Sequence, residues 1–176
     1  MKKYILTTLL LALTVASSAA LDLSKIVQGG NTQTSEQVFL DNELQIDIFN
    51  AVNVTNDQYS IGAGVTRFLY SIPAPLVVDF GLGGEVTFQE GGGWSSAGSI
   101  IARAPIEEYG VAPYIYGGGG WVDTATFNVN EVDWHAGAGI DIRIKNLPIM
   151  FVDYRYTWSD AQEDNNSIRA GLKFLF

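Results

Sequence analysis

The sequence contains no cysteine, which excludes a disulfide framework, thiolate chemistry, cysteine-ligated metal and a lipid-modified cysteine anchor. Basic residues are scarce, 10 against 19 acidic, and the formal net charge of −9 excludes a phosphate-binding surface for nucleic acid. Only 16% of residues are charged and 12% are aromatic, which is not a disorder composition. After residue 20 no apolar run approaches the roughly 20 residues that a membrane-spanning helix needs. Yet 47% of the chain is hydrophobic and the mean hydropathy is slightly positive, +0.14. An acidic chain that is apolar on average, with no spanning helix, must hold its hydrophobicity in a pattern. Its length suits a single domain or one membrane-embedded unit.

The first twenty residues are organised as a secretory signal peptide. Lys2 and Lys3 form a basic start, Tyr4 to Val15 is apolar apart from Thr7, Thr8 and Thr14, and Ala16-Ser17-Ser18-Ala19-Ala20 supplies small residues for cleavage. The apolar stretch is too short for a transmembrane helix. Without residues 1–20 the chain has 8 basic and 19 acidic residues, a charge of −11. Residues 21–42 show no clear pattern and are expected to form a tail, a small plug or an extra strand.

From residue 43 onward the recurring period is two, the period of a strand with unlike faces. In Val132 to Ile144 one face reads Val132, Trp134, Ala136, Ala138, Ile140, Ile142, Ile144. The other reads Asp133, His135, Gly137, Gly139, Asp141, Arg143. Leu76 to Gln89 separates Leu76, Val78, Phe80, Leu82, Val86 and Phe88 from Asp79, Glu85 and Gln89. Met150 to Trp158 sets Val152, Tyr154, Tyr156 and Trp158 against Asp153, Arg155 and Thr157. The last segment sets Ile168, Ala170, Leu172, Phe174 and Phe176 against Arg169 and Lys173. No charge falls on the apolar face of these four strands. Weaker alternation marks Glu43 to Val54, Gln58 to Tyr70, Ser96 to Ile106 and Val111 to Trp121. The register of the last is blurred by Gly117 to Gly120, and Arg67 falls on an apolar face where its long stem could reach an interface.

About eight strands of ten to fourteen residues predict an all-β fold, a closed antiparallel up-and-down transmembrane β-barrel over residues 43–176. Tilted strands of about 9–11 residues cross a bilayer, and closure pairs every backbone group. The narrow bore is then filled by side chains, with Asp79, Glu85, Asp141 and Asp153 expected to pair with Arg103, Arg143, Arg155, Arg169 and Lys173. A soluble barrel with the apolar face inward has the same alternation. The leader segment, the aromatics near strand ends (Tyr59, Phe88, Tyr154, Tyr156, Trp158) and the C-terminus favour the membrane form.

The terminal string SIRAGLKFLF ends on Phe176 with Phe174, Leu172 and Ala170 on its face. It resembles the terminal recognition strand of bacterial outer-membrane proteins. APYIYGGGGW, WHAGAGIDIRI and FVDYRYTW resemble late strands of small OmpA/OmpX-like eight-stranded barrels. The resemblance covers residues 43–176. It implies a bacterial outer-membrane location, insertion by the barrel-assembly machinery with periplasmic chaperones, both termini in the periplasm and four surface loops. Outer-membrane lipids and lipopolysaccharide are then the expected partners, nucleic acid is not one, and the barrel is expected to be monomeric.

Chemistry-bearing residues are few. His135 is the lone histidine, with Asp133 and Gly137 as its neighbours on the lumen face, and it is expected to be a satisfied lumen residue. The His and Ser two apart on one strand found in barrel lipid A deacylases is missing, since Ala136 and Gly137 follow His135. Gly117 to Gly120 lacks the Lys-Ser/Thr of a phosphate loop and reads as small residues that permit tight curvature. Asp57, Glu90, Asp123, Glu131, Asp160, Glu163 and Asp164 fall in the outer loops, without Lys or Arg. Such a rim could take divalent cations, though plain solvation is favoured. No catalytic, cofactor-binding or metal-binding residue is therefore assigned, and no cofactor is expected. The expected role is a non-enzymatic, side-chain-filled barrel acting structurally or at the surface. The alternatives are a narrow channel or transporter for small solutes or apolar molecules and, further off, a lipid-modifying enzyme.

Overall fold

The computed structural model describes residues 43–72, 77–90, 92–124, 129–144, 147–158 and 165–176. The leader at 1–20 and the segment at 21–42 lie outside the described residues. Among the described residues no helix is long and apolar enough to cross a membrane; the alternating segments form strands instead. They are β1 Leu44–Asn53, β2 Tyr59–Ile72, β3 Val78–Gln89, β4 Trp94–Arg103, β5 Val111–Thr124, β6 Val129–Ile142, β7 Ile149–Trp158 and β8 Asn165–Leu175. Each pairs antiparallel with the next, and β8 returns to β1 from Gln45↔Leu175 to Asn53↔Ser167, closing the barrel in sequence order. The eight expected strands are all present.

Closure fixes which face is inside. Ile46, Ile48, Val65, Leu82, Val86, Ile100, Ile115, Val152 and Ile168 project from the outer surface, with Ile100 65% exposed. Gln45, Asp47, Asp79, Arg103, Asp141, Asp153 and Lys173 are buried in the bore. An apolar exterior around a polar interior is the inverse of a soluble barrel, and it is the pattern of a transmembrane one. Strand ends carry aromatics. All four tryptophans (Trp94, Trp121, Trp134 and Trp158) face outward near the upper end, the end of the β1–β2 turn, where Trp134 pairs with Trp158 and Phe88 with Trp94. Tyr70, Phe80, Tyr109 and Phe176 face outward toward the lower end, where the backbone N–H of Phe176 donates to Leu44 O at 3.0 Å.

Several boundaries differ from the sequence reading, each for a local reason. The long β5–β6 connection expected at Val122 to Glu131 is mostly ladder. Asp123↔Asn130 and Thr124↔Val129 remain paired, because alternating β-branched residues extend both arms. The glycine run at 117–120 does not break β5, which pairs continuously with β4 and β6. β4 starts at Trp94 instead of Ser96 and ends at Arg103, and Ile106 forms only an isolated bridge to Val111. Between them Glu107–Tyr109 makes one 3-10 turn. Gly110 follows at φ +62, and a Cβ there would lie 2.7 Å from Arg143 O, so both backbone angle and space require glycine. In β2 a bulge at Leu69 shifts the register between Phe68 and Tyr70. The extra residue leaves Leu69 and Tyr70 both exposed and turns Ser71 inward, where its hydroxyl donates to Asp79 Oδ1 at 2.7 Å. Arg67 is exposed on the outer face.

A charge in the outer belt is the direct test of which face meets lipid. Ile100→Arg is expected to cost about 2–4 kcal/mol if the residue sits near the bilayer midplane. Urea titration of the protein folded in phospholipid vesicles measures this; an unchanged midpoint would contradict the assignment of the faces.

Candidate functional site

The bore contains the chemistry, and it is layered. At the lower end Arg103, 0% exposed, extends from β4 with Nε 3.2 Å and Nη2 2.8 Å from Asp79 Oδ2 and with Nη1 3.4 Å from Glu43 Oε1. Its guanidinium lies 3.8 Å from the centroid of Phe68. Arg143 approaches Glu43 at 3.9 Å, and the Gln45 amide donates to the same carboxylate. Alongside, Lys173 Nζ donates to Asp141 Oδ1 at 2.8 Å between the rings of Tyr114 and Phe151. Ala112, Ile149 and Leu175 pack as a small apolar cluster at the same end.

The middle layer centres on Arg169 of β8. Nε and Nη2 form a fork to the Asp153 carboxylate at 2.8 and 2.9 Å, and Nη1 donates to Glu85 Oε2 at 2.6 Å. Arg155 donates to the other oxygen of Glu85. The hydroxyls of Tyr114 and Tyr116 donate to Asp153 at 2.8 and 3.1 Å. These rings fit because their neighbours are glycines. A Cβ at Gly137 would lie 2.3 Å from the Tyr116 ring, and one at Gly139 would lie 2.4 Å from Asp153 Cβ. Carboxylates out of water are costly unless each is paired and hydrogen-bonded, and these are.

Above this layer, His135 Nε2 and Ser99 Oγ are 2.7 Å apart. They come from strands on either side of β5: Ser99 is opposite Gly118, and Gly118 is opposite His135. With no side chain at 118, the imidazole reaches across that strand. His135 is 2% exposed. Its Nδ1 meets no hydrogen-bonding group among the described residues, and neither does Arg155 Nε. A hydroxyl on an imidazole is the arrangement of a nucleophile and its base, but such a pair also needs a group to orient the base from the other nitrogen.

The upper bore is an open cup of about 210 Å³ with Phe49, His135, Arg155 and Arg169 low in it and Asn53, Gln58, Ser60, Thr87, Gln89, Ser95, Thr157, Asn165 and Ser167 around its wall. A smaller cavity of about 40 Å³ lies among Asp47, Thr66, Glu85, Ser99, Tyr116 and Asp153, room for about two or three waters.

The expected pairing of Asp79, Glu85, Asp141 and Asp153 is thus observed with Arg103, Arg155, Arg169 and Lys173, whereas Arg143 approaches Glu43, a carboxylate outside the expected set. Two groups of bore residues escaped the sequence reading. Glu43, Gln45 and Asp47 alternate with Leu44, Ile46 and Ile48, a signal present but set in a weakly patterned strand. Ser99 gave no signal, because its partner is two strands away. Of the acidic rim, Asp57 lies in the β1–β2 turn with φ 59 and Glu90 follows β3. Asp123 and Glu131 belong to strands, not to a loop, and Asp160, Glu163 and Asp164 lie outside the described residues. Among the described residues no group of three or more carboxylates and imidazoles is placed to hold a metal ion.

Breaking the middle layer should be expensive. Arg169→Met leaves Asp153 and Glu85 short of a partner and is expected to destabilise the barrel by about 3–5 kcal/mol. Gly139→Ala, which forces a methyl against Asp153 and Tyr114, is expected to cost about 1–3 kcal/mol. Both are read from equilibrium urea unfolding in lipid, and neither change alters the outer belt.

No protein-family model matches the chain, and no curated protein matches it. Solved structures do match at the level of fold. The N-terminal β-barrel domain of Pseudomonas aeruginosa OprF is similar with a TM-score of 0.61 and 15% identity, covering 77% of this chain and 98% of that one. The outer membrane enzyme PagL gives 0.59 and 12%, covering 74% and 98%. A de novo designed transmembrane β-barrel gives 0.57 and 13%, covering 78% and 98%. The chain therefore has a closed eight-stranded antiparallel barrel fold, similar to that of these transmembrane β-barrels.

Proposed function

We propose that the protein is an integral barrel of the bacterial outer membrane, monomeric and non-enzymatic, that serves envelope structure or surface interaction. The observation that carries this reading is the filled bore. Beneath the cup, the Arg169–Asp153–Glu85–Arg155 layer and the Arg103–Asp79–Glu43 and Lys173–Asp141 pairs occupy the cross-section with paired charges. An aqueous pathway would have to displace these pairs, which weighs against the narrow channel or transporter. The apolar belt and aromatic ends support a bilayer setting, and the segment at residues 1–20 supports export. The termini then lie on the periplasmic side, lipopolysaccharide and lipid surround the belt, and the barrel-assembly machinery receives the Phe176 strand.

The fold alone does not decide catalysis, since PagL is an enzyme on a similar scaffold. The Ser99–His135 contact is read as a packing bond. The imidazole is buried, and no carboxylate holds its second nitrogen among the described residues. Two measurements test the proposal together. Fractionation is expected to place the protein in the outer membrane, with migration in SDS gels that changes on boiling. Verified folded protein in planar bilayers is expected to be electrically silent; discrete conductance steps would return the channel reading to first place.

A further inference from the structure

We propose that the upper cup is a binding site for a small, uncharged, polyhydroxylated molecule, of the size of a single sugar ring. The wall supplies the chemistry. Asn53, Gln58, Thr87, Gln89, Ser95 and Thr157 present amides and hydroxyls, groups that donate and accept and so match vicinal hydroxyls. Two buried polar atoms lie behind the lining of the cup. His135 Nδ1 and Arg155 Nε are buried without a hydrogen-bonding group among the described residues, and both side chains line this cavity. Buried polar atoms of this kind call for a partner, and because both are closed off from the open volume, a ligand hydroxyl reaches them only with a small movement of the side chains above them.

Size and charge narrow the ligand. The cup holds about 210 Å³, below the roughly 300–1,000 Å³ of sites for drug-sized molecules, so one ring fits and an extended chain does not. Arg155 and Arg169 are directed at Glu85 and Asp153, and these two cations and two carboxylates balance. Asp133 adds a further negative charge to the lining. An anion is therefore poorly matched, whereas a neutral polyol makes hydrogen bonds without displacing the ion pairs. The cup opens at the end away from the start of β1 and from Phe176, so a free solute and the terminal sugar of a larger glycan reach it equally. Binding itself does not depend on which way the barrel faces.

His135, as the single histidine, is a site-specific reporter. The full chain, without a histidine tag, is folded into lipid nanodiscs and its imidazole proton resonances are followed. The probes are glucose, galactose, N-acetylglucosamine, a core oligosaccharide and inorganic phosphate. A neutral sugar is expected to shift the His135 resonance saturably with a Kd of about 1 mM or tighter. Saturation by a monosaccharide assigns a free solute, and saturation by the oligosaccharide alone assigns a glycan terminus. Ser95→Phe, which fills the cup, is expected to weaken binding at least about tenfold. Thr157→Val, near-isosteric and short of one hydroxyl, is expected to weaken it severalfold. Boiling-dependent gel migration verifies that both variants fold. The proposal is overturned if no sugar shifts His135 at roughly ten times that concentration, if phosphate shifts it and sugars do not, or if folded Ser95→Phe and Thr157→Val both bind as the parent does.

Discussion

Every amide and carbonyl that crosses lipid must find its partner in the protein, and for strands that means a ring. The β1–β8 ladder is thus the contact on which the rest of this structure depends. Closing eight strands fixes a bore just wide enough for the side chains that point into it. The remaining architecture follows from that confinement. Charged residues in the bore must meet opposite charges within one bore's width, and large rings must lie over glycine. The polar interior of the barrel and its glycine-rich strands are two results of the same closure.

The bore does not treat its two ends alike. Its lower half is crossed by bidentate and shared ion pairs with aromatic faces beside them, while its upper half is lined by short amides and hydroxyls. Arg103 beside Phe68, and Lys173 between Tyr114 and Phe151, combine a carboxylate partner with a ring, which stabilises a cation in a region with little water. The upper wall has less to fill it, so open volume collects there. The same sequence therefore builds a plug and a cup on one axis.

Much of this was legible because a period of two survives any error in strand ends. Val132 to Ile144 and Met150 to Trp158 announce their faces without ambiguity, and the charges on the polar face point to much of the bore network, though not to Glu43, the partner of Arg103 and Arg143. The details that were not legible depend on register and on neighbours remote in sequence. Leu69 looks like one more apolar residue in an alternating strand, yet its bulge reverses the facing of Ser71. Ser99 meets His135 only because two ladders and an intervening glycine align them. The β5–β6 hairpin ran longer than its turn-like composition suggested, since β-branched residues beside a growing ladder prefer to extend it. Strand identity is local information, whereas site geometry belongs to the closed ring.

The distribution of the cations along the chain has a consequence for assembly. Glu85 of β3, Asp141 of β6 and Asp153 of β7 precede the strand that brings Arg169 and Lys173 to them. Until β8 docks, Asp141 and Asp153 have no cation among their ion-pair partners, and Glu85 has only Arg155. An open sheet of seven strands would carry that excess of carboxylates into the bilayer, so insertion without the last strand is penalised electrostatically as well as by its bare edges. Zipping the seam and neutralising the interior are one event. The order of charges along the chain thus ties neutrality of the bore to completion of the ring.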